Sequence, residues 1–133
     1  MALTKIRLEL ARTKENPAGN PNHGYELIAP LDEAGRLDTK SWHANRQLCS
    51  VRRFTPNSAD EHGLLIHTSK KVWAFSYRPG EEDDEPLHRL EDHRFKEGEY
   101  VSIKEHDGAT RPFKVVAMTR WNVRPIGAKK PAA

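Results

Sequence analysis

The sequence predicts an all-β domain: a small antiparallel barrel of about six to seven strands with at most one short helix. Three observations carry this. Several segments alternate apolar and polar residues with a period of two, short turn-forming links separate them, and no segment sustains a helical period. A two-sheet sandwich fits the same pattern. Closure into a barrel is the more economical solution, because it leaves no exposed sheet edge to aggregate.

Leu3 to Arg12 opens the series, with Ile6, Leu8 and Leu10 on one side and Lys5, Arg7 and Glu9 on the other. Between Glu15 and Gly24 the crowding of Asn16, Pro17, Gly19, Asn20, Pro21 and Asn22 calls for a turn or a mobile stretch. Tyr25 to Ala29 reads as a second strand stopped by Pro30, and Asp38 is placed to cap a short helical turn running to Asn45. Arg46 to Phe54 sets Gln47, Cys49, Val51 and Arg53 against Leu48, Ser50 and Arg52, a strand that ends at Thr55 to Ser58. Gly63 to Thr68 and Val72 to Tyr77 follow as a hairpin joined by Ser69, Lys70 and Lys71. The clearest pair is Gly98 to Glu105 and Pro112 to Thr119, turning at Asp107 and Gly108.

A chain of 133 residues is long enough for one modest core and too short for two, which gives a single β domain over residues 1–120. Residues 121–133, with Pro125, Gly127 and Pro131 and little that could pack, read as a basic, mobile tail. Lys5, Arg7, Glu9 and Arg12 break up the amino-terminal segment, and no run approaches the roughly 20 apolar residues of a membrane span. The expectation is a cytoplasmic protein with no membrane partner. A lone Cys49 excludes an internal disulfide and a multi-thiolate metal site, and its place beside Val51 suits core packing.

Charge is distributed unevenly. Gly108 to Ala133 carries Arg111, Lys114, Arg120, Arg124, Lys129 and Lys130 with no acid, whereas Glu81 to Glu85 is an unbroken acidic run that suits a solvated hairpin tip. The basic end can attract an anionic partner. Trp73, Phe75 and Tyr77 alternate along one strand and so share one face, either filling the core or forming a platform on which bases stack. With Arg52, Arg53, Lys70, Lys71, Arg111, Lys114 and Arg120 as phosphate contacts, they make up the candidate nucleic-acid site. His88, Asp92 and His93 are weak metal candidates, because a separation of five between the histidines suits neither a helix face nor a strand face. No cofactor is implied.

No nucleophile elbow, phosphate loop, dinucleotide fingerprint or zinc-protease motif is present, so catalysis has no positive support in the sequence. The leading reading is a small β-barrel binding module whose partner is nucleic acid or another anion. The alternatives are a protein-interaction or assembly module, and a small metal-dependent enzyme using histidines near a barrel mouth.

Overall fold

The computed structural model describes residues 3–14, 16–68, 72–77, 85–88 and 94–121. Eight strands follow one another around a closed antiparallel barrel: β1 (Leu3–Leu10), β2 (Asn20–Pro30), β3 (Ser50–Thr55), β4 (Ser58–His67), β5 (Trp73–Ser76), β6 (Glu85–His88), β7 (Tyr100–Lys104) and β8 (Thr110–Trp121). Each strand pairs with its successor, and β8 closes on β1 from Leu3↔Trp121 to Leu10↔Phe113. Between β2 and β3 lie the helix α1 (Thr39–Ala44) and a 3-10 turn, Arg46–Leu48.

Alternation builds the interior. Ile6, Leu8 and Leu10 from β1, Tyr25, Leu27 and Ala29 from β2, Val101 and Ile103 from β7, and Phe113 and Val115 from β8 all point inward into one cluster with Val51, Leu65, Trp73 and Phe75. A β-bulge interrupts the closing seam, where Arg7↔Ala117 is followed by Leu8↔Val115 and Val116 is left over. That extra residue shifts the parity of β8, so that Met118 rather than Ala117 continues the inward row and packs against the core.

One end of the barrel is sealed. The Asp38 carboxylate caps α1 by accepting the amides of Lys40 (3.0 Å) and Ser41 (3.3 Å), and the helix presents Trp42 to the barrel. The indole donates to the Leu65 carbonyl at 2.8 Å and meets the Trp73 ring edge to face at 5.7 Å. The Arg46 guanidinium covers the outer face of Trp42, 5.6 Å from its centroid.

Closure into a barrel replaces the sandwich alternative, and the strand count among the described residues rises to eight. The added strand is β6, which begins inside the acidic run expected to be a solvated tip; Glu85 is in fact fully buried. Two boundaries also move. Strand β2 starts at Asn20, within the expected turn, and Arg46–Leu48 coils into a 3-10 turn so that β3 begins at Ser50. Trp121 pairs with Leu3 and belongs to β8, while residues 122–133 lie outside the described part of the chain. Among the described residues no helix is long and apolar enough to cross a membrane.

If α1 is the plug of this end, Trp42→Ala should cost about 3–5 kcal/mol in urea unfolding, since it removes a buried ring and orphans a carbonyl. Asp38→Ala, which removes only the cap, should cost about 1 kcal/mol. Equal losses would show that the helix rather than the indole stabilises the end.

Candidate functional site

The residues singled out by sequence separate into three places. Trp73 and Phe75 are buried in the barrel core, 5% and 0% exposed, so neither ring offers a face to an outside partner. Arg53, Tyr77 and Arg111 converge at the mouth of the barrel, opposite the Trp42 plug. Arg52 points outward, stacked over Phe54 and paired with Asp60 at 2.7 Å and with Glu26. Lys114 and Arg120 are exposed on β8. Lys70, Lys71, Asp92 and His93 lie outside the described residues, and His88 is placed only as a backbone position of β6. Among the described residues no group of three or more His, Cys, Asp or Glu side chains is arranged to hold a metal ion. Burial pushes the Cys49 thiol up to about 11, so at neutral pH it is an uncharged core residue.

The mouth is the most highly charged part of the interior. Seven consecutive strands deliver ionisable side chains to it: His23 and Tyr25 from β2, Arg53 from β3, Glu61 from β4, Tyr77 just past β5, Glu85 from β6, Glu105 and His106 just past β7, and Arg111 from β8. Tyr25 forms the floor, its ring 4.9 Å from Phe75 and 5.1 Å from Phe113. Gly63 makes room for the Tyr77 ring; a Cβ at that position would come within 2.8 Å of Tyr77 Cδ1 and 2.2 Å of the Ser76 carbonyl oxygen.

Two buried carboxyl groups share this space and are shifted in opposite directions. Glu105 accepts from Arg53 Nε (3.0 Å) and Nη2 (2.9 Å), Arg111 Nη1 (2.8 Å), the Tyr25 hydroxyl (2.7 Å) and His23 Nε2 (3.1 Å). Burial alone would raise its pKa, but His23, Tyr25 and Arg53 overcome that and hold it at about 2. Glu85 accepts from the Tyr77 hydroxyl at 2.7 Å and the His106 amide at 2.9 Å, with Arg53 Nε more distant at 3.5 Å. Here burial wins over these donors, and neighbouring Glu105 adds to it, so the pKa is raised.

A second feature lies outside the barrel. Two large hydrophobic side chains are exposed among the described residues, Tyr100 at 57% and Val116 at 36%. Both border one groove of about 520 Å³, together with Arg12, Pro21, Pro112 and Lys114. Cross-strand pairing aligns Tyr100 with Lys114 and Lys114 with Glu9, and Glu9 is already paired with Arg7 at 2.7 Å. Comparison with known proteins finds no matching family, no matching curated protein and no matching solved structure.

Sequence reasoning missed Glu85, Glu105, Tyr25, His23 and His106 as a group, and Tyr100 as an exposed ring. The signal for the first set was present. Period-two rows continue from Val51 to Arg53, from Phe75 to Tyr77, from Ile103 to Glu105 and back from Phe113 to Arg111, so each inward row ends in an ionisable residue on the core face.

The two carboxyl groups should respond unequally to neutralisation. Glu105→Gln leaves Arg53 and Arg111 without their buried counter-charge and should cost about 3–5 kcal/mol at pH 7. Glu85→Gln should change stability by less than about 1 kcal/mol. The sign with pH follows. Because its folded value is depressed, Glu105 stabilises above 4.5 and this contribution fades as pH falls towards 2; Glu85, raised, stabilises below 4.5 and loses its contribution as pH rises through its folded value. Urea titrations of the three proteins between pH 2 and pH 9 measure both limbs.

Proposed function

We propose that this chain is a non-catalytic binding module that takes single-stranded nucleic acid on the outer face of β7, β8 and β1. The observation that carries this reading is the convergence of Tyr100 and Val116 on one groove bordered by Lys114 and Arg12. An exposed tyrosine offers a base a π-face, and flanking cations meet the phosphates on either side; single-strand binders combine these two elements. Lys104, exposed on β7 beyond Ser102 and facing outward like Tyr100, extends the basic margin. The basic segment from Gly108 onward supplies further charge in Arg124, Lys129 and Lys130, which lie outside the described residues.

The stacking residue in this reading is Tyr100, while Trp73 and Phe75 fill the core. Duplexes are disfavoured, because their bases are already stacked and leave Tyr100 nothing to cover. Affinity should fall steeply with salt, as phosphate contacts release condensed counterions.

Fluorescent single-stranded and double-stranded oligonucleotides, titrated at low and physiological salt, test this. Single strands should bind better, Tyr100→Ala should lose about 1–3 kcal/mol, and Lys114→Glu should weaken binding and flatten its salt dependence. No binding at low salt would overturn the proposal. So would binding that survives Tyr100→Ala and disappears when residues 122–133 are removed, or equal affinity for an acidic polypeptide; each would mean charge attraction without base stacking.

A further inference from the structure

The groove beside Tyr100 holds one group that phosphate binding does not use. Tyr100, Lys114 and Glu9 stand in register across β7, β8 and β1, and all three line the groove on the outer face of the barrel. Strands about 4.8 Å apart put roughly 10 Å between the Tyr100 and Glu9 backbones, a span that the two side chains and one base between them fill.

Lys114 stands between these two residues and is exposed, yet Glu9 does not pair with it. The Glu9 carboxylate turns along its own strand to Arg7, whose Nε donates to Oε2 at 2.7 Å. The guanidinium is itself held in place. Its carbon lies 4.6 Å from the centroid of the Phe54 ring, Nη2 donates to the Pro21 carbonyl at 3.2 Å, and Nη1 is 3.6 Å from Glu26. Arg7 therefore fixes the carboxylate while occupying one of its roughly four acceptor positions. Among the described residues Glu9 Oε1 has no partner.

Against a polyanion, a carboxylate in the groove opposes binding unless a base brings N–H groups to it. The same side chain then attracts one kind of base and repels another. Single strands are read on their Watson–Crick edges. There thymine and uracil present one N–H between two carbonyl oxygens, and adenine and cytosine present an amino group beside a ring-nitrogen acceptor. Guanine presents two donors side by side, N1–H and the N2 amino group, which match the two oxygens of a carboxylate.

We propose that the base taken on Tyr100 is guanine, with the Glu9 carboxylate accepting from N1–H and from the N2 amino group. This inference rests on the groove being a single-strand site and adds to that reading the base it prefers.

Short fluorescent thymine strands carrying one central guanine, adenine, cytosine or hypoxanthine, titrated into the full chain at physiological salt, test it. The guanine strand should bind about tenfold more tightly than the all-thymine strand. Hypoxanthine keeps N1–H and lacks the amino group, so it should give up most of that gain. Glu9→Gln removes a negative charge; it should bind the all-thymine strand more tightly than the parent while losing most of the preference for guanine. Its partly exposed ion pair with Arg7 contributes little to folding, so an unchanged urea midpoint is expected. Equal affinity for all the strands, in a parent whose binding still falls with Tyr100→Ala, would overturn the guanine preference and leave the single-strand reading standing. A preference that survives Glu9→Gln would overturn the role of Glu9. Failure of every strand to bind would overturn both readings.

Discussion

Everything in this fold depends on β1 finding β8. The other strand pairs join neighbours in the chain, but the seam from Leu3↔Trp121 to Leu10↔Phe113 spans more than a hundred residues, and until it forms the sheet has two raw edges. Closure also defines an inside. Only in a closed sheet do the inward rows of β1, β2, β7 and β8 face one another closely enough to exclude water, and only there can seven strands bring ionisable groups to a common mouth. Long-range pairing of this kind makes folding slow relative to its stability, because loop-closure entropy must be met before the seam returns anything.

The mouth is then a problem that the fold solves unevenly. Taking two carboxyl groups out of water costs several kcal/mol each if both stay ionised, and the two arginines of the mouth, Arg53 and Arg111, both bond Glu105. The chain directs most of its charged donors to Glu105, which becomes a stable anion, and leaves Glu85 with the Tyr77 hydroxyl, the His106 amide, the Tyr25 hydroxyl at 3.1 Å and a more distant cation. Pushing two neighbouring carboxyl groups towards opposite protonation states is a familiar means of keeping both in a small volume. An apolar mouth would be easier to fold.

How much of this was legible follows from what alternation can and cannot encode. The hairpin of β7 and β8 was readable because Val101, Ile103, Phe113 and Val115 alternate around an Asp107 and Gly108 turn, with Gly108 at the positive φ of 91° that such a turn requires. Asp38 was readable as a cap because its side chain suits that position and apolar Trp42 follows. Strand β6 was not, since Glu85, Pro86 and His88 match no strand propensity and the strand is stabilised by side-chain hydrogen bonds from elsewhere. Arg53 and Arg111 were singled out for their charge as phosphate contacts, although their parity with Val51 and Phe113 places them at the inner mouth. The aromatic row posed the reverse question: Trp73 and Phe75 face the core, while the exposed ring on the groove is Tyr100, whose pattern carries no mark of exposure beyond its parity.

The bulge at Val116 shapes how this sequence can vary. A single unpaired residue lets β8 change its phase: before it, odd-numbered residues look inward, and after it Met118 does. Substitutions along β8 act locally, one side chain at a time. An insertion or deletion between Val115 and Ala117 acts on the whole strand end, sending Met118 to solvent and exchanging the inner and outer faces where β1 and β8 meet. In this strand the residue count is under tighter constraint than residue identity, and the outer groove beside Tyr100 shares in that constraint because Val116 stands at its edge.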